Sequence, residues 1–236
     1  MPMLLRLTPL LFSLFASGVR AFAQPPADAV PVRTTRASAT DSHVLWTASS
    51  LLLAASLTFD ERLRDVALAH RSPSLDRLST GADVLGTAGH LVPALVTTYV
   101  VSRALGRRSF AAATLRVGAS YAVADAIEAM LKPTVGRVRP VTGREPLTFR
   151  PMTMQGDFHS FPSAHVVHIT SVASAVAIEA DRPWVTALAS VAVAYVGAQR
   201  VYRDQHWSSD VVASAMFGVD VARRVVTALR PTTARR

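Results

Sequence analysis

The chain has 236 residues, half of them hydrophobic, a formal net charge of +9 and no cysteine. That length suits one domain or one large helical bundle, and the missing thiols exclude disulfides, thiolate metal centres and cysteine nucleophiles. The basic balance suits nucleic acid, anionic lipid or a phosphorylated substrate, but the arginines are scattered rather than striped and no nucleic-acid module is recognisable, which excludes the first.

The first 23 residues predict an export signal. Arg6 near the start is followed by an apolar stretch and then by Ala21-Phe22-Ala23, the small-x-small pattern of a cleavage site before Gln24. An uncleaved first membrane helix is the alternative. Residues 24–42 are polar and proline-containing and are expected to form a flexible lead-in. Residues 43–230 are then expected to form one helical domain, and 231–236 a basic tail.

Apolar segments rich in alanine, leucine and valine lie near 44–59, 84–102, 110–131, 164–180, 183–201 and 208–228. They are too long, and alternate too poorly, for strands. The expected fold is therefore all-α: a bundle of about six apolar helices, with the active site at one end and a signal peptide before it. Residues 60–80 read as an amphipathic surface piece broken at Ser72-Pro73. Val84–Ser102 and Pro183–Gln199 come close to the roughly 20 apolar residues that cross a membrane. Arg103, Arg107, Arg108 and the arginine-rich C-terminus favour the cytoplasmic side. Residues 132–162 and 200–210 then face the periplasm. A cleaved signal followed by six full spans would place them inside, so either 44–59 does not cross or the bundle is peripheral or soluble. Both resolutions keep the site outside the cytoplasm, and membrane association is the preferred form.

Residues 132–162 are the longest non-periodic stretch, with five cations against two acids. A long loop in a compact domain is functional or disordered. At its start stands Lys132, the only lysine in the chain. A lysine is a compact point charge and an arginine a planar fork, so the exception is chemically meaningful. At the loop's end, Pro162-Ser163-Ala164-His165 opens an apolar run, and Ser163 suits a helix cap. Further on, Arg200, His206 and Asp210 stand in "QRVYRDQHWSSD". His206 and Asp210 are four apart and share a helix face, so the carboxylate can fix the ring's tautomer.

Lys132-x6-Arg139-Pro140, Pro162-Ser163-Ala164-His165 and Arg200-x5-His206-x3-Asp210, in that order, resemble the motifs of the type 2 phosphatidic acid phosphatase family. That family also includes bacterial acid phosphatases and vanadium haloperoxidases. Two positions depart from it: Ala164 replaces the usual glycine, and Gln199 the usual serine. The resemblance implies a metal-independent phosphatase with no cofactor. Its substrate would be a phosphorylated lipid, of the phosphatidate or polyprenyl diphosphate type, or a small phosphoester. It makes His206 the nucleophile of a phosphohistidine intermediate, Asp210 the acceptor of its ring proton, and His165 the general acid. Lys132, Arg139, Ser163, Ala164 and Arg200 would bind the phosphate. The chemistry fits, because phosphoryl transfer spreads charge over the phosphoryl oxygens, and without a metal that charge falls to side chains and helix amides. The alternatives are a vanadate-dependent haloperoxidase, an acid phosphatase of water-soluble substrates and a non-catalytic membrane protein that binds anions.

Other residues have plainer readings. His159, His165 and His168 lie close in sequence, but no carboxylate or cysteine is evident to complete a zinc set. His168 reads as a helix residue near the site or in the core, and His90 as a packing residue. Asp125 and Glu128 lie on the helix leading to Lys132; Glu128, four residues before it, can form a supporting ion pair or serve equally as a solvated or interhelical charge. Arg137 and Arg203 read as surface charge.

Overall fold

In the computed structural model of the chain, residues 39–230 are described. The expected signal peptide, most of the lead-in and the basic tail lie outside them. The described residues form seven α-helices and no strand, apart from one isolated bridge between Arg137 and Phe149. Helix α1 (Ala39–Ala69) starts inside the expected lead-in. Serine, threonine and aspartate favour helix starts as well as loops, so composition sets that boundary loosely. Helix α2 (Pro73–Gly86) begins where the break at Ser72-Pro73 was expected. The Ser72 hydroxyl accepts from the Leu75 N–H, and Pro73 occupies the first turn, where no N–H is needed. A 50° bend at Thr87 then separates α2 from α3 (Ala88–Ala104).

Helices α4 (Arg108–Val135), α5 (Ala164–Ala180), α6 (Pro183–Tyr202) and α7 (Ser208–Leu229) complete the bundle. Helix α5 is central and packs on α4, α6, α7 and α2. Its buried Val166, Val167 and Ala175 meet Val196, Ala124, Val221 and Ala222. Small core residues let helix backbones approach closely. Short turns reverse α5 into α6 and α6 into α7. The C-termini of α4 and α6 and the N-termini of α5 and α7 therefore share one end of the bundle. At the other end Arg116 and Arg230 both pair with Glu179, at 2.7 and 3.4 Å.

The loop between α4 and α5 is ordered. Helix α4 ends at Gly136, in the left-handed region at φ +60°, where a Cβ would lie 1.9 Å from the Arg150 carbonyl oxygen. Only glycine fits that turn. The loop then folds on itself: Val138 N–H donates to Thr148 O (3.0 Å), Arg150 N–H to Gly136 O (2.7 Å) and Ser160 N–H to Arg137 O (3.0 Å). Trp207, 1% exposed, pins it from α7 by donating from Nε1 to Val138 O at 2.8 Å.

Residues 60–80 are more than a surface piece. Arg64 forks onto Asp204 at 2.6 and 3.0 Å. Asp60 is fully buried and accepts from Ser208 Oγ, Ser209 N–H and Ser209 Oγ at the start of α7.

Candidate active site

His206 lies in the turn before α7 and is buried. Its Nδ1 is 2.6 Å from the Ser160 carbonyl oxygen and 4.0 Å from Asp210 Oδ2. A carbonyl only accepts, so Nδ1 carries the proton and Nε2 keeps a free lone pair. The resemblance implies that Asp210 accepts the ring proton directly; here the Ser160 carbonyl holds that proton, and the Asp210 carboxylate lies behind it. Its carboxylate accepts from Ser160 Oγ (2.5 Å), Trp207 N–H (3.0 Å) and Arg137 Nη1 (2.6 Å). Burial pushes the Asp210 carboxyl up, while Arg137 and the Ser160 hydroxyl oppose the shift. His206 is pushed well below the ordinary histidine range by burial and by the charges of Lys132 and Arg139, and Arg200 adds to the effect. The ring is thus neutral at physiological pH, the state a nucleophile needs.

The three expected cations converge on that ring. Lys132 Nζ sits between Glu128 Oε1 at 2.5 Å and the Pro162 carbonyl oxygen at 2.7 Å. The ion pair with Glu128 is the one that the spacing allowed. Arg139 donates to Gly156 O (3.0 Å) and to Gln205 Oε1 (2.9 Å), and burial lowers its pKa. Arg200 is held by the side chains of Gln199 and Asp83. Gln199, one of the two departures, is thus placed to hold both neighbours, donating to Asp83 Oδ1 at 3.1 Å.

The start of α5 completes the cluster. Ser163 stands at the helix start as expected, but its hydroxyl makes no capping bond. That Oγ is buried without a partner, and the backbone N–H donates instead to Ser214 Oγ at 2.8 Å. An orphaned buried hydroxyl is costly unless something else meets it. Beside it the first amides of α5, at Ala164 and His165, have no carbonyl to receive them within the helix. His165 Nε2 lies 3.3 Å from Thr87 Oγ1 and 3.9 Å from Asp83 Oδ1. Burial and then the Arg200 charge lower its pKa to about 4, so this ring is also neutral at physiological pH. Gly86 lets α2 approach: a Cβ there would lie 2.8 Å from His165 Cβ.

Several residues correct the sequence reading. Arg137 is no surface charge: it is 3% exposed and bridges Asp60 (2.8 Å) and Asp210 (2.6 Å). Asp60, Asp83 and Ser160 were not singled out at all. Each meets its partners across long stretches of chain, so no local spacing announces it. His159 turns away to the Thr153 carbonyl oxygen at 2.9 Å. His168 does meet carboxylates, contrary to expectation: its ligand atom and those of Asp125 and Glu128 all lie within 4.8 Å of one another. His168 Nε2 already bonds Asp125 at 2.7 Å, and Glu128 pairs with Lys132, so both acids have protein partners. His90 is exposed rather than packed.

The PAP2 superfamily model matches residues 113–233. No curated protein matches the chain. Among solved structures it is similar to the first transmembrane PAP2-type phosphatidylglycerolphosphate phosphatase from Bacillus subtilis, at 24% identity and a TM-score of 0.61, covering 78% of this chain and 92% of that one. It is also similar to Aquifex aeolicus LpxE, at 16% identity and a TM-score of 0.53, covering 72% of this chain and 95% of that one. Both likenesses support the all-helical fold. The family match spans Lys132, Arg139, His165, Arg200, His206 and Asp210, and on it the chain belongs to the PAP2 superfamily and is a phosphatase.

Proposed function

We propose that the protein hydrolyses a lipid phosphate or diphosphate through a phosphohistidine on His206. The observation that carries this reading is the His206 ring: Nδ1–H is fixed on the Ser160 carbonyl, and the free Nε2 lies in the field of Lys132, Arg139 and Arg200. In the first step the Nε2 lone pair attacks phosphorus and the ester P–O bond breaks. His165 gives its proton to the leaving oxygen. The three cations, the Ser163 hydroxyl and the first α5 amides, Ala164 included, hold the phosphoryl oxygens. The ring becomes cationic, and Asp210 stabilises it from behind Ser160. In the second step water attacks phosphorus, His165 takes its proton and the N–P bond breaks. Since burial and Arg200 keep His165 neutral, its proton enters with the substrate, whose negative charge then holds it there.

A lipid substrate is favoured by the apolar surface. Val92, Val96 and Val100 on α3, and Trp184, Leu188 and Val191 on α6, form exposed stripes. Helix α6 is long and apolar enough to cross a membrane. One of the two similar structures is a transmembrane phosphatidylglycerolphosphate phosphatase, which supports that choice. We further place the catalytic end in the periplasm of an exported or envelope protein. The decisive experiment is phosphate release from a panel of lipid and water-soluble phosphoesters in excess chelator, with acid-quench trapping of phosphoenzyme. Release by the wild type and no trapped phosphate in His206→Ala are expected. Dependence on a divalent ion, or a phosphoenzyme that survives in His206→Ala, overturns the assignment.

A further inference from the structure

Two of the arginine–carboxylate assemblies among the described residues are of opposite kind. Arg137 lies between Asp60 and Asp210, with both carboxylates fully buried and each held by further donors. Nothing in that assembly is free to exchange. Arg200 is different. Its guanidinium side chain is 9% exposed, while its acidic partner Asp83 is 43% exposed. A buried cation thus faces a carboxylate that reaches water. Asp83 Oδ1 accepts from Arg200 and from Gln199 Nε2, and it lies 3.9 Å from His165 Nε2. One anionic oxygen therefore occupies the space between a phosphate-binding arginine and the general acid. A phosphoester needs that same space for an oxygen of its own. The two compete, because anions that share one arginine repel each other.

We propose that Asp83 competes with a phosphate group for Arg200: its carboxylate holds the guanidinium in place and turns out to water when a phosphate group enters. The exposure of Asp83 makes that turn inexpensive. The bend at Thr87 makes it local: Asp83 sits in the last turn of α2, and the Thr87 hydroxyl bonds back to the Asp83 carbonyl oxygen at 2.5 Å. Gln199, standing where the family has serine, supplies the second donor that keeps the carboxylate seated. Asp83 also lies outside the residues 113–233 that the family match spans, so this device belongs to the part of the site that α2 contributes. Functionally it would weaken binding of any phosphate group, inorganic phosphate included, and so favour release of that product. It would also leave Arg200 in a productive rotamer between turnovers.

The inference rests on the phosphatase reading above, since it takes Arg200 as a phosphate ligand. The test is calorimetric titration of the full-length protein in detergent with inorganic phosphate, comparing wild type with Asp83→Asn and Asp83→Ala. A seated competitor lowers apparent affinity in proportion to its occupancy, so each variant should bind phosphate roughly fivefold more tightly. The inhibition constant for product phosphate should fall by the same factor, while kcat does not rise in proportion. Unchanged or weaker binding in both variants overturns the inference and leaves Asp83 as a mere support for Arg200. Absence of phosphate binding in the wild type and in both variants alike sinks the phosphatase reading together with this inference, whereas binding that the substitutions leave unchanged sinks this inference alone.

Discussion

At the scale of single residues, the bond from His206 to Ser160 changes what Asp210 is expected to do. An aspartate that directly holds a catalytic histidine costs about 10⁴-fold when amidated, because the tautomer is lost. Here the Ser160 carbonyl fixes the tautomer, with the carboxylate 4.0 Å from Nδ1. Asp210→Asn should therefore slow phosphoenzyme formation by well under about 10⁴-fold, as read by rapid quench. A full loss of that size would mean that the ring swings onto Asp210 during turnover. The pH dependence follows from His165. Its proton must come with a substrate whose second ionisation lies near pH 6, so kcat/KM should fall about tenfold per unit above roughly pH 6. A flat profile to pH 8 would remove His165 as the acid. Stability should move the opposite way. The native His206 resists a proton that the unfolded chain accepts below about pH 6.5, so stability is whole above that value and is lost as the pH falls below it.

At the scale of elements, the tip of α2 is held against α5 by Gly86. Its Cβ would meet His165 Cβ at 2.8 Å and Cδ2 at 2.9 Å, so Gly86→Ala must move either the helix end or the ring. A misplacement of about 1 Å at a reacting group costs on the order of 100-fold. We expect kcat to fall by about that factor on alkyl phosphates and by much less on an activated aryl phosphate, which needs little protonation. Equal losses on both would show that the variant disturbs more than His165. The same element marks the limit of what the sequence discloses. Lys132, Arg139, His165, Arg200, His206 and Asp210 were legible because short-range spacing fixes where each side chain falls on a turn or a helix end. The helices were legible from their length and apolar content. The bend at Thr87 was not, because alanine, glycine and valine continue on both sides of it. Nor were Asp60, Asp83 and Arg137, whose partners lie as far as 149, 117 and 77 residues away. Charge pairs of that kind exist only once the bundle has closed.

At the scale of the whole molecule, the two ends of the bundle differ in charge and role. Arg103, Arg107 and Arg108 at the α3–α4 connection lie at the end opposite His206, together with the Glu179 ion pairs. Positive residues flanking membrane segments favour the cytoplasmic side. An alkaline phosphatase reporter inserted at the exposed Gly143–Arg144 turn should then be active, and one fused after Arg236 inactive. The reverse pattern would place the site in the cytoplasm.

The burial of Asp60 beneath Ser208 and Ser209 bears on how small a working fragment of this protein can be. The family match begins at residue 113, yet α1 supplies one of the two carboxylates that neutralise Arg137, and with it the footing of the turn that carries His206. Cutting the chain back to the matched segment would leave that guanidinium half-compensated in a dry interior, a defect that typically costs 3–5 kcal/mol. The minimal autonomous unit therefore starts upstream of Asp60. Two separately expressed pieces divided in the α3–α4 connection would be expected to recover activity only by reassembling, with α1 acting as a plug rather than a leader.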